Sequence, residues 1–310
     1  MNIVVTGVGG DIGNGVGRIL RESNFAKKII GCDLHDEHSG RGVFDECVVL
    51  PKADSDNYIE ALKDVAFSYQ ADAVVVASEP ELRLITKSTD KSLALLPFVM
   101  ANRKAMSIGF DKLRTAEFIS GLGKKAPWTS VISESDPVNY PCILKSREGA
   151  GSQSIFILND SSNLVSYRKL FPDYICQEYI GNEQEEYTCG VYGCADGEIR
   201  TIVFRRRLVS GVTAYAELVE SEEIKSLCVD IAEALELRGS INIQLRFTDR
   251  GPVVFEINPR FSSTVVFRHK LGFTDLVWSI QEQVLHLSTT YVPTRPVGTK
   301  VYRVFDEKII

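Results

Sequence analysis

The residues best placed to do chemistry lie between Ser240 and Ser263, in the stretch SINIQLRFTDRGPVVFEINPRFSS. Ile241–Phe247 alternates apolar and polar residues, Thr248-Asp249-Arg250-Gly251-Pro252 is turn chemistry, and Val253–Ile257 resumes a strand. Two such runs joined by a short Gly-containing loop predict a β-hairpin. A symmetric loop centred on Arg250 places Gln244 opposite Glu256 and Asn242 opposite Asn258, with Ile241, Ile243, Leu245, Phe255 and Ile257 on the other face. One face is then oily, and the other carries amides and a carboxylate followed at once by Arg260. Oxygen ligands crowded on one strand face suit Mg²⁺, which leaves coordination places for water and phosphate. The structural alternative is a polar, solvated sheet face.

Other elements must support that hairpin. The chain has 310 residues, enough for two domains, with 44% hydrophobic and 25% charged residues. A net charge of -6 with interspersed signs offers no basic field for a nucleic-acid backbone. The first residues, MNIVVTG, enter a strand with no basic leader, and no apolar run approaches the ~18–20 residues of a membrane span. Seven scattered Cys without a CxxC pair predict reduced, mostly buried thiols and a cytoplasmic protein.

The first hundred residues read as βαβαβ. Strands are expected at Asn2–Gly7, Lys28–Asp33 and Ala73–Ala77, with helices after the Gly-rich turn and over Asn57–Gln70. Gly7, Gly10 and Gly13 fit G-x-x-G-x-x-G, and Asp33 lies where a ribose-binding acid belongs. A nucleotide-sugar oxidoreductase or epimerase using NAD is therefore one reading. Against it stands the absence of a Tyr-x-x-x-Lys pair, and a tight βα turn needs Gly anyway. Glu79 and Glu81 fall at the carboxyl edge of the third strand. They suit a substrate amine or, equally, the dipole of a helix N-terminus.

A helix is expected over Asn102–Gly121, carrying Lys112. In YPCILKSREGAGSQSIFIL, a strand over Cys142–Leu144 delivers Lys145. A loop with Gly149, Gly151, Ser152 and Ser154 then offers backbone amides to an anion, or is an ordinary hairpin tip. In YICQEYIGNEQEEYTCG, the strand Ile175–Tyr179 presents backbone to an adenine edge, and Glu185 or Glu186 a carboxylate to ribose hydroxyls. In FRRRLVS, Arg205 and Arg207 share a face opposite Arg206 and form a pair suited to a substrate carboxylate, or belong to a solvated edge strand. Gly211–Glu217 reads as a loop over the acceptor. Arg268 and His269 lie on a helix, Arg268 within reach of phosphates, and Leu271–Leu287 offers an apolar face for a homodimer.

Taken in order, ILKSREGAGSQSI, QEYIGNEQEEYT and NIQ…FEINPRFSS resemble the ATP-grasp superfamily, and within it domains similar to the carbamoyl-phosphate synthetase large chain and D-alanine–D-alanine ligase. The resemblance implies an α/β chain with a Rossmann-like domain over residues 1–100 and a two-lobed α+β ATP-grasp domain over 101–310. Its small lid lobe would span about 112–176 and its larger metal-binding lobe about 177–290. It implies that Lys112 and Lys145 bind phosphates and that Gly149–Ser154 (with Gly151 and Ser152) is the lid. Glu178, Tyr179 and Ile180 would form the adenine hinge, Glu186 would hold ribose, and Gln244, Glu256 and Asn258 would hold Mg²⁺ or Mn²⁺. Arg260 would stand beside the transferred phosphate, with Lys145 as its catalytic companion. The implied activity is ADP-forming ligation of a small-molecule carboxylate and an amine, or less often a thiol, through an acylphosphate. Glu81, Arg205, Arg207 and Arg268 are the substrate candidates. The resemblance implies neither a biotin carrier nor an ammonia-producing domain in this chain. A non-catalytic ATP-binding protein is the remaining alternative.

Overall fold

The computed structural model describes residues 1–149 and 155–304. Its first sheet is built from β1 (Asn2–Thr6), β2 (Lys28–Asp33), β3 (Glu46–Val49), β4 (Ala73–Val76) and β5 (Phe98–Val99), in the order β3-β2-β1-β4-β5. Every pairing is parallel. β3 and β5 lie outside the sequence expectation; they are only four and two residues long and carry little pattern. Helices α1 (Asp11–Glu22), α2 (Tyr58–Ser68) and α3 (Glu79–Lys87) make the crossovers. Parallel strands need cover on both faces, and alternate residues of β1 and β4 find different partners. Val4, Val74 and Val76 pack with Leu62 of α2 and Leu82 of α3. Ile3, Val5 and Val75 pack with Val16 and Ile19 of α1.

The expected single helix over Asn102–Gly121 is two, α4 (Arg103–Gly109) and α5 (Lys112–Gly121). The break has a local cause. Asp111 caps α5, its carboxylate accepting from the Leu113 and Arg114 amides, which makes Lys112 the first helical residue.

A four-stranded sheet follows, of β6 (Thr129–Val131), β7 (Cys142–Ser146), β8 (Phe156–Leu158) and, after α6 (Leu164–Leu170), β9 (Tyr174–Glu178), in the order β6-β9-β7-β8. Its pairings are antiparallel, and its small core comprises Ile132, Cys142, Leu144, Leu158, Leu164 and Cys176.

The third sheet, in the order β14-β13-β10-β11-β12-β15, uses β10 (Glu186–Gly193), β11 (Ile199–Val209), β12 (Val212–Leu218), β13 (Gly239–Thr248), β14 (Gly251–Asn258) and β15 (Lys300–Tyr302). α7 (Glu222–Ala234) packs Ile224, Leu227 and Ile231 against Ile241, Ile243 and Leu245 on one face. Two sequence expectations change here. Gly211–Glu217 is mostly strand β12, paired with β11, because Val212–Leu218 continues a hairpin. Leu271–Leu287 is not one helix: α8 (Val265–Lys270) ends and α9 (Asp275–Gln283) begins after Gly272, whose φ of +88° only glycine adopts readily. The apolar side of α9 is consumed within the chain. Leu276 and Ile280 cover the first sheet, and Trp278 joins Tyr192 and Phe273, so this face is not free for a second copy. Among the described residues, no helix is long and apolar enough to cross a membrane.

Gly13 shows how tightly α1 is docked. A Cβ there would lie 2.3 Å from the Gly7 carbonyl oxygen, a backbone atom that cannot swing aside. Gly13→Ala is expected to destabilise the protein by about 1–3 kcal/mol through overpacking, read as a lower denaturant midpoint with unchanged slope.

Candidate functional site

The β13–β14 hairpin pairs Asn242 with Asn258 and Gln244 with Glu256, as the alternation argument requires. It arrives there differently. Thr248 pairs with Gly251, so the turn is a tight Asp249-Arg250 connection, and the register shifts by one between Gln244 and Leu245. The extra residue is Phe255. A bulge turns its side chain from the expected core face, and Phe255 lines the cleft with the Lys145 ammonium 5.8 Å from its ring centre. The polar face continues onto β10 and β11. Thr188 lies opposite Gln244 and Glu186 opposite Arg246, and Arg206 follows on β11.

A cleft of about 1050 Å³ opens over this face and extends to the carboxyl ends of the parallel strands. Lys112, Lys145, Gly149, Glu178, Ile180, Glu186, Gln244, Glu256, Asn258, Arg260 and Glu81 all line it. Gly151 and Ser152 lie outside the described residues. Tyr179 does not line the cleft; its ring lies 5.8 Å from the Arg246 guanidinium carbon.

Glu186 is held from two sides. Arg206 donates to Oε1 at 2.9 and 3.1 Å, and Arg246 to Oε2 at 2.9 and 3.0 Å. Arg206 Nη2 also donates to Gln244 Oε1 at 2.8 Å, and Arg246 Nη1 to the Ile180 carbonyl at 3.0 Å. Two arginines thus fix the Ile180 backbone, Glu186 and Gln244 relative to one another. Sequence reasoning singles out neither. Arg246 is within reach of the alternation argument, two residues beyond Gln244 on the same face. Arg206 is not, because its partners come from the β10–β11 register. Arg147 escapes as well: its guanidinium forks onto Asp111 at 2.8–3.0 Å. Burial opposes ionisation of Asp111, yet Arg147 and the cap amides hold its carboxyl below the usual range. That fork and the Lys112 Nζ bond to the Gly149 carbonyl at 2.7 Å tie α5 to the end of β7.

Arg205 and Arg207 are corrected. Tyr187 pairs with Arg205, so the face shared with Glu186 belongs to Arg206. Arg205 instead pairs with Glu217 at 2.8 Å, and both arginines line a separate cavity of about 430 Å³ beside Tyr215 and Tyr302. Arg268 is also corrected as a phosphate contact. It is fully buried against Asp275 at 3.0 Å, on ground left open by Gly190, where a Cβ would lie 2.5 Å from its Cδ. Asn242 is buried and accepts from Thr188 and Ser262.

The donor set Gln244, Glu256 and Asn258 consists of hard oxygens with one carboxylate, and Glu256 has no ion-pair partner among the described residues. This chemistry fits a divalent cation of the Mg²⁺ class. Arg260 Nη2 lies 3.4 Å from Asn258 Oδ1 and 3.5 Å from Glu79 Oε2, and its buried Nε has no hydrogen-bond partner among the described residues. A buried donor of that kind awaits an acceptor. Lys145 is buried, and desolvation brings its ammonium down to about 8, with Glu256 opposing and Lys112 and Arg246 adding to the effect.

A family model described as "ATP-grasp domain" matches residues 110–264. A carbamoyl-phosphate synthase of Methanobrevibacter smithii is 26% identical over 189 residues, covering 58% of this chain and 47% of that protein. The chain thus spans about half the length of that curated relative. Among solved structures, N5-carboxyaminoimidazole ribonucleotide synthetase from Thermus thermophilus superposes with a TM-score of 0.75 at 18% identity, over 96% of this chain and 81% of that one. An L-amino acid ligase from Bacillus licheniformis gives 0.71 at 15%, over 91% and 74%. At these identities the structural likeness is one of fold.

The Lys145 ammonium is expected to titrate near pH 8 in NMR of the reductively methylated protein, its resonance assigned by loss in Lys145→Arg. A midpoint at the ordinary lysine value of about 10.4 would contradict the desolvated site.

Proposed function

The chain belongs to the ATP-grasp family, and from that premise we propose that it is an ATP-dependent, ADP-forming ligase joining a small carboxylate to an amine through an acylphosphate. The observation that carries this reading is the single cleft onto which Lys145, Gln244, Glu256, Asn258 and Arg260 all open. Adenine would lie between Ile143, Ile180 and Phe255, against the hinge backbone that Arg246 fixes. Glu186 is the proposed ribose acid; its two arginine contacts hold it oriented. Glu185 bonds the Tyr187 hydroxyl and lines the other cavity, which favours Glu186 in that role. Gln244, Glu256 and Asn258 would hold Mg²⁺ or Mn²⁺, which when bound neutralises phosphate charge and orients the transferred group.

Phosphoryl transfer asks for position and charge more than covalent help. Lys145 and Arg260 would supply positive charge at the γ-phosphate, and Arg260 fits because its Nε has no acceptor among the described residues. The donor carboxylate attacks the γ-phosphorus and ADP leaves. The amine lone pair then attacks the acyl carbon, the bond to the phosphate oxygen breaks, and the departing phosphate takes up the amine proton. Lys112 and Gly149 line the cleft together, the Lys112 ammonium donating to the Gly149 carbonyl.

A screen of carboxylic acids and amines with Mg²⁺ is expected to find ADP release that requires both substrates. Glu256→Ala should lower that release by at least about a hundredfold while circular dichroism and thermal midpoint stay near wild type. Unchanged turnover in the variant would sink the metal assignment. Because phosphate favours the charged amine, ATP affinity is expected to fall as pH rises through about 8, with proton uptake on binding by calorimetry. Lys145→Arg should flatten that profile; an equally steep profile in the variant would contradict the role of Lys145.

A further inference from the structure

Arg83 is a largely buried base that the proposed mechanism does not use. It lies on α3 one turn after Glu79, and at that spacing two helical side chains meet. Leu82 and Ile85 of the same helix turn to the core, while Glu79 lines the cleft. Arg83 Nη2 and Nε donate to Glu79 Oε1 at 2.7 and 3.0 Å. Nη2 also donates to the Phe110 carbonyl, and Nη1 lies 3.0 Å from Glu148 Oε2. The guanidinium carbon sits 4.8 Å from the centre of the Phe110 ring. One guanidinium thus reaches α3, the α4–α5 junction and the end of β7, a fork that a lysine cannot reproduce. The other oxygen of Glu79, Oε2, faces Arg260 Nη2 at 3.5 Å. Arg83 and Arg260 are the basic partners of Glu79 among the described residues. The side chains of Glu79, Arg83 and Arg260 are 7%, 13% and 11% exposed, so water screens their charges weakly.

We propose that Arg83 is a positioning residue for Arg260: by taking up the Glu79 carboxylate, it keeps Arg260 available to the terminal phosphate of the nucleotide. The proposal rests on the ligase reading above and adds a residue outside the segment 110–264 that the family model matches. Two arginines compete for one carboxylate. With Arg83 in place the short contacts fall on its side, at 2.7 and 3.0 Å against 3.5 Å. Arg260 then keeps an Nε without an acceptor among the described residues. Removing Arg83 would strip a buried carboxylate of its main partner, which is costly. Arg260 is the base left to answer it. A fork from Arg260 onto Glu79 would occupy N–H groups that a phosphate needs, and would bring a carboxylate charge against that phosphate. The Phe110 and Glu148 contacts hold Arg83 itself in place on the Glu79 side.

The test is calorimetry on the full chain with Mg²⁺, comparing the nonhydrolysable nucleotide AMP-PNP, which carries a terminal γ-phosphate, with ADP, which lacks it. Arg83→Met is expected to weaken AMP-PNP by about tenfold or more while ADP changes by less than about threefold. In a Glu79→Gln background the same substitution should weaken AMP-PNP by less than about threefold, because no carboxylate is left to capture Arg260. Arg83→Gln, which keeps polar groups and loses the charge, should show the same selective loss and replaces the methionine variant if that one does not fold. A merely structural Arg83 would weaken both nucleotides alike, or weaken AMP-PNP equally with and without Glu79. Either result, or an unchanged ratio of the two affinities, would overturn the proposal and leave the ATP reading standing. A wild-type chain that binds neither nucleotide would sink both.

Discussion

Everything at the site depends on the register of one hairpin. In a β-ribbon a slip of one residue sends every side chain to the opposite face. The tight turn at Asp249-Arg250 alone would place Val254 opposite Leu245 and continue with Phe255 opposite Gln244. The bulge at Phe255 corrects this, bringing Glu256 and Asn258 to the face of Gln244 and Asn242. It also brings an aromatic ring beneath Lys145. Two hydrophobic strands and one extra residue thus set the donor oxygens and part of the cleft wall together.

That face works only because its charges are mutually restrained. Glu186 sits between Arg206 and Arg246, and the same two arginines reach Gln244 and the carbonyl of Ile180. Such a network costs desolvation, which fork-like, charge-assisted hydrogen bonds offset. It leaves Lys145, Glu256 and Arg260 as the groups without full satisfaction, and these face the cleft.

Much of this is legible from the chain. Period-two alternation pairs Gln244 with Glu256, and β-branched runs locate β1, β2 and β4. What escapes does so for physical reasons. The bulge has no local signature, since Phe255 suits either face of a strand. The N-cap at Asp111 reads as helix interior because apolar periodicity runs across it. The FRRRLVS strand shows which arginines share a face but not which face meets the cleft. That choice is made by pairing with β10, a contact of residues far apart in sequence. Arg268 reads as a phosphate or substrate contact until Gly190 and Asp275, one of them distant in sequence, make a buried place for it. Sequence alternation gives relative orientation, and the long-range register gives the absolute one.

The most direct test of the central claim is a crystal structure with Mn²⁺ and AMP-PNP, in which anomalous scattering locates the metal. The account predicts an anomalous peak within coordination distance of Gln244, Glu256 and Asn258, with the triphosphate against Lys145 and Arg260. A metal away from that strand face, or a nucleotide on the Gly7–Gly13 turn, would contradict it.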